Sequence, residues 1–171
     1  MSSYCTKCTI TFVVAIIFPL FIVPSAQAQT EAVCSFKIFQ LTSNPQNPNV
    51  GGVFGVNDDP TVVGQATGYA YPNPPEKGFI RYSNGSVSYY LAPSAAATWF
   101  TGRNNSGINI GIYSTKNANT IAKGFMLNGS TFTSIVHPKA ILGTILTGLN
   151  KYNSIVGWYY DANEVRHGFK R

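Results

Sequence analysis

Across 171 residues the chain carries 12 lysines and arginines, only 6 aspartates and glutamates and 2 histidines, for a net charge of +6. So few proton carriers and carboxylates leave little material for an acid-base or metal-dependent active site, and the 3 cysteines show no zinc-ligand spacing with the histidines. The basic excess sits in the C-terminal half, but its residues are scattered singly apart from Lys170-Arg171, which describes a solvated surface, so no nucleic-acid partner is expected.

Residues 1–28 have the form of a secretory signal: Lys7 is the only charge, Ile10 to Val23 is mostly apolar, and Ala26-Gln27-Ala28 is a small-x-small cleavage site. The apolar stretch of 14 residues falls short of the roughly 20 that span a bilayer, so an extracytoplasmic chain, secreted or periplasmic, is expected to begin at Gln29. A membrane attachment would exist only through an uncleaved signal. Cys5 and Cys8 leave with that segment and Cys34 stays alone, which rules out an intrachain disulfide in the mature chain and suits a small core residue.

Residues 29–171 read as a single all-β domain. Apolar residues alternate or run in fours and fives between Gly, Pro, Asn and Ser, with no helical spacing. Thr42 to Asn49 and Tyr71 to Glu76 are rich in Pro, Asn and Gln and read as loops. Within the domain a skeleton of Gly-x-Asn, six residues and Gly occurs three times, as Gly55, Asn57 and Gly64, as Gly102, Asn104 and Gly111, and as Gly148, Asn150 and Gly157. The copies start 47 and 46 residues apart, a period that signals a repeat architecture. Gly and Asn are read as the residues that carry positive φ in a turn between two strands.

A second element keeps step with the first: Lys77-Gly78-Phe79, Lys123-Gly124-Phe125 and His167-Gly168-Phe169. Asn84-Gly85-Ser86 and Asn128-Gly129-Ser130 follow the first two, and Asn-Gly between apolar runs is a hairpin signal. Laid end to end, three units of four strands result, about 35–82, 87–127 and 131–171. The first unit takes strands over Ser35–Leu41, Gly52–Val56, Thr61–Ala66 and Gly78–Tyr82. Propeller-like blades are the simplest architecture, with a β-trefoil or β-prism as the alternative. Three blades are too few to close a ring, so blades predict a homodimer, and self-closure as a trefoil or prism predicts a monomer.

Gly124-Phe125, Phe132-Thr133, Gly148-Leu149-Asn150, Ile155-Val156-Gly157, Tyr160-Asp161 and His167-Gly168-Phe169 together resemble the HAF-type repeat of bacterial extracellular proteins. The second unit has Ile108-Asn109-Ile110-Gly111 for the Ile-Val-Gly element, and the first has Val62-Val63-Gly64 with no acid matching Asp161. The resemblance implies an exported bacterial protein with propeller-like blades and supplies no catalytic residues; from the residues themselves no cofactor or metal is expected.

Candidate chemistry is sparse. Asp58-Asp59 lies inside the first repeated turn, Asp161, Glu164 and His167 cluster near a hairpin end, and His137 precedes Pro138 at a strand end. All of these read as turn and loop residues. A hydrolase using Asp58, Asp59 or Asp161 is the enzymatic alternative, and a purely structural repeat segment is a third reading. Aromatic residues offer a better functional lead: Trp99, Trp158, Tyr159 and Tyr160, with Tyr69, Tyr71, Tyr89 and Tyr90, could present stacking faces to a polysaccharide or other cell-surface ligand. Neighbours on a strand point to opposite faces, so Trp158, Tyr159 and Tyr160 cannot all face the core. The reading is an exported binding or surface-interaction module without enzymatic activity, with glycans as the ligand class.

Overall fold

The computed structural model describes residues 36–41, 49–67, 75–115 and 122–171. The signal, Cys34, Tyr69, Tyr71 and nearly all of the two Pro-rich loops lie outside them. The described residues form eleven strands: β1 (Asn49–Val56), β2 (Val62–Thr67), β3 (Lys77–Arg81), β4 (Val87–Tyr90), β5 (Ala97–Arg103), β6 (Asn109–Ser114), β7 (Lys123–Asn128), β8 (Thr131–Ile135), β9 (Thr144–Leu149), β10 (Ile155–Tyr160) and β11 (Arg166–Lys170). They form three antiparallel meanders, β1-β2-β3-β4, β5-β6-β7-β8 and β9-β10-β11. The all-β repeat architecture read from the sequence is therefore present, in sheets of four, four and three strands.

The sheets group their strands one step out of phase with the units at 35–82, 87–127 and 131–171. They span residues 49–90, 97–135 and 144–170. The reason lies in the Asn-Gly turns. Gly85 donates to the Tyr82 carbonyl at 2.9 Å with φ +89°, a tight turn closed by a left-handed residue that folds β4 directly onto β3. Gly129, with φ +57°, stands at the corresponding turn between β7 and β8. The change of sheet comes later, in the connections that carry Pro93 and Pro138.

The strand expected at Ser35–Leu41 is not formed over its described part: Phe36 to Gln40 have no regular structure and Leu41 lies in a bend. Leu41 instead packs with Ala66 and Phe79, and Phe39 packs against that cluster. Side-chain burial on a sheet face gives this segment no ladder to join.

The repeated motif works by a different device from the one expected. Among the described glycines, Gly55, Gly102 and Gly148 do not have positive φ. That role falls three residues after the Asn, on Gly107 (φ +81°) and Asn153 (φ +64°), whereas the first copy has Pro60 there. The Asn holds the turn with its side chain: Asn57, Asn104 and Asn150 accept at Oδ1 from the backbone N–H of Thr61 (3.0 Å), Ile108 (3.0 Å) and Ser154 (2.9 Å). The closing glycine answers a close approach. A Cβ on Gly64, Gly111 or Gly157 would lie 2.0, 2.1 or 2.1 Å from the carbonyl oxygen of Gly52, Trp99 or Ile145. Each sits beside an irregularity in the ladder to the first strand of its sheet, where the bulged strand leans across its neighbour.

Two cores lie between successive sheets. Val63, Ile80, Phe100, Phe125 and Leu127 join the first sheet to the second, and Ile110, Ile135, Leu146 and Ile155 join the second to the third. Burying a side chain such as Phe100 completely contributes about 2–3 kcal/mol. Isolated parallel bridges, Glu76 with Ala97 and Ala122 with Gly143, tie each sheet to the start of the next. Residues 38–171 thus make one compact unit.

Candidate interaction surface

β10 divides its aromatic residues between two faces, as strand alternation requires. Tyr159 is buried, stacks on His137 at 3.7 Å and lies near Phe169. It is a packing residue. Trp158 and Tyr160 share the opposite face, edge to face at 5.2 Å, and the Arg166 guanidinium lies 5.3 Å from the Trp158 ring. Val156 shares that face by the same alternation and is 44% exposed. Arg166 was not among the residues singled out from the sequence; it pairs directly with Tyr160 in the β10–β11 ladder, a register that the turn at Asp161 sets.

Trp99 belongs elsewhere. Its indole N–H donates to Glu76 Oε2 at 2.8 Å, and the Gln65 amide donates to the same oxygen at 2.7 Å. With Ile112 and Ala122 it lines a cavity of only about 60 Å³, which suits a wedge between sheets more than a ligand site. Tyr90 packs against Phe100 and Phe125 at 5.8 and 6.0 Å, and burial raises its phenol pKa. Tyr89, on the other face of β4, is 41% exposed. Of the four leading candidates the structure therefore brings together Trp158 and Tyr160 alone.

The three Gly-x-Asn turns are bonded to one another in series. Asp58 N–H donates to Asn105 Oδ1 at 3.1 Å, and Asn105 Nδ2 returns a bond to the Asp58 carboxylate. Asn104 Nδ2 donates to Asn153 Oδ1 at 2.8 Å and to the Asn150 carbonyl at 3.3 Å. Asp58, Asn57, Asn104 and Asn150 are thereby committed to turn structure.

The remaining acids are engaged in the same way. Asp59 accepts from the Thr61 hydroxyl and from its N–H at 2.9 Å, and the hydroxyl bond holds its carboxyl below the usual carboxylate range. Asp161 bonds His167 Nε2 at 2.8 Å and accepts from the N–H of Asn163 and Val165. The His167 bond, ahead of the backbone donors, lowers its pKa as well. Glu164 occupies the left-handed position of that turn with φ +61°. Among the described residues no three His, Cys, Asp or Glu side chains are grouped to hold a metal ion, and no helix is long and apolar enough to cross a membrane. A wider hollow of about 440 Å³ lies between the end of β8 and β11, lined by His137, Pro138 and Phe169; its histidine is already stacked on Tyr159.

Comparison with family models, with characterised proteins and with solved structures gives no match to this chain.

Proposed function

We propose that the chain is exported and acts as a non-enzymatic interaction module of the HAF-like repeat type, with the outer face of its third sheet as the contact surface. One observation carries this reading: Val156 is 44% exposed on the face it shares with Trp158, Tyr160 and exposed Arg166, where its register counterparts Val63 and Ile110 in the first two sheets are fully buried against the next sheet. A large aromatic side chain with a polar edge, flanked by a guanidinium, is the composition of contact hot spots. Export rests on residues 1–28 and Ala26-Gln27-Ala28. The carboxylates that a hydrolase would need are held in turn hydrogen bonds, which favours contact over catalysis.

Trp158 is its own reporter once Trp99 is replaced by Phe. The emission of Trp158 in that variant is to be followed on titration with a panel of polysaccharides, with and without calcium, and on raising the chain concentration alone. A blue shift in either series supports the reading. Emission that stays water-exposed in every series contradicts it. A hydrolase panel run beside it on the wild-type protein tests the enzymatic alternative.

A further inference from the structure

Two internal junctions between sheets share one design, and the two ends of the stack carry its unmatched halves. At the first junction Phe100 of β5, fully buried, stands over Gly78, where an added Cβ would lie 2.7 Å from its ring. Thr98 N–H donates to the Glu76 carbonyl at 2.9 Å alongside. At the second junction Leu146 of β9, also fully buried, stands over Gly124 with the same 2.7 Å approach. Thr144 N–H donates to the Ala122 carbonyl at 3.0 Å. In each case a side chain on the first strand of one sheet fills the hollow left by the glycine of Gly-Phe in the sheet before it.

The same positions are open at the ends. Gly168 is the third glycine of the series, and a Cβ added there meets nothing nearer than the Gly157 carbonyl at 3.9 Å. Register identifies the missing knob, because Phe100 pairs with Gly111 and Leu146 with Gly157, so the counterpart that pairs with Gly64 is Val53. Val53 is 46% exposed where Phe100 and Leu146 are fully buried. Val63 and Ile110, paired with Gly55 and Gly102, are likewise fully buried, whereas Val156, paired with Gly148, is 44% exposed. Phe39 and Leu41 cover Phe79 and Val87 on the first sheet and leave Val53, Phe54 and Val56 of β1 exposed. Among the described residues, then, the third sheet presents a socket and the first sheet the matching knob.

We infer that a second copy of this chain covers the open face of the third sheet, with Val53 of one copy seated over Gly168 of the other. This deepens the proposed function, on which it rests, by naming the partner. Charge agrees with the pairing. At the first junction Asp58 bonds Asn105, the residue one past each repeated Asn, and the same position in the third unit is Lys151. A junction between copies therefore sets Lys151 opposite Asp58. The contact is heterologous, joining different patches of the two chains, and such a contact repeats until it closes. The described residues of two copies supply six sheets, within the about four to eight that close a propeller ring, which makes the product a twofold-symmetric dimer with two equal junctions.

The test uses the chain from Gln29 to Arg171 as it would be exported. In a Cys34→Ser background, Val53→Cys with Gly168→Cys should form, on mild oxidation, a covalent species of twice the chain mass, and neither single cysteine should do so. Sedimentation of Val53→Asp and of Gly168→Phe should show the mass halved relative to wild type, with strand circular dichroism retained, because both side chains enter open space in the single chain. A wild-type monomer at every concentration overturns the inference, as does a cross-linked ladder beyond two chains, which means an open array. A monomer whose Trp158 responds to a polysaccharide also overturns it while leaving the contact-surface reading intact.

Discussion

At the scale of single residues the repeat is held by steric and hydrogen-bonding details, and the substitutions that test them differ sharply in cost. Gly157→Val places a Cβ against the Ile145 carbonyl at 2.1 Å, a backbone atom that cannot move aside. Gly148→Val meets only a Val156 methyl at 2.9 Å, and Lys151 is exposed. Thermal melts at a concentration where the chain is monomeric should show Gly157→Val losing upwards of about 3 kcal/mol, Gly148→Val about 1 kcal/mol or less, and Lys151→Ala almost nothing. A Gly148 variant as damaging as Gly157→Val would contradict the geometry. Titration supplies a second residue-level expectation. The Thr61 hydroxyl bond and the His167 bond hold the Asp59 and Asp161 carboxyls below the usual carboxylate range in the folded chain, so the unfolded chain takes up their protons first on acidification. Their contribution is complete above the ordinary carboxylate pKa and is lost as pH falls from there through the lowered folded values. Melting temperature should therefore drop less steeply below about pH 4 in Asp59→Asn/Asp161→Asn than in wild type; parallel profiles for the two proteins would dismiss the effect.

Among the elements, the turns matter most where they join sheets. Asn104 is buried, caps its own turn through Ile108 N–H and reaches Asn150 and Asn153 of the next turn. Asn57 caps Thr61 only, in a turn that Asp59 also supports. Denaturant unfolding should show Asn104→Ala costing about 2–3 kcal/mol and Asn57→Ala about 1 kcal/mol or less; equal costs would mean the bonds between turns contribute nothing. Much of this level was legible in advance. The Gly-x-Asn spacing located the turns, and the Asn-Gly pairs located two hairpins. The phase of the repeat was not, because a period leaves open where one unit ends; only hydrogen bonding assigns β4 to β3 and β8 to β7. The strand expected at residues 35–41 is not formed over its described residues 36–41 for a related reason: alternation describes burial of a face, and Leu41 obtains that burial without a ladder partner. Trp158 and Tyr160 were foreseeable as a pair, yet Arg166 depends on the β10–β11 register, which no sequence pattern prints.

For the molecule as a whole, the two internal junctions are equivalent and the two ends are their halves. Phe100→Ala empties the hollow over Gly78 and should cost about 3–5 kcal/mol by denaturant titration, while Val53→Ala, at an exposed end position, should leave the stability of an isolated chain unchanged within about 0.5 kcal/mol. The glycines of Gly-Phe were visible in the sequence as a repeat, but their function as sockets appears only when Phe100 and Leu146 are seen over them. Light scattering on the wild-type protein, across the widest accessible concentration range, tests the central claim that the open face of the third sheet is a contact surface completed by the first sheet of a second copy. The account predicts a molar mass of twice the chain; a chain that remains monomeric at the highest concentration, with Trp158 still open to a water-soluble quencher, would contradict it.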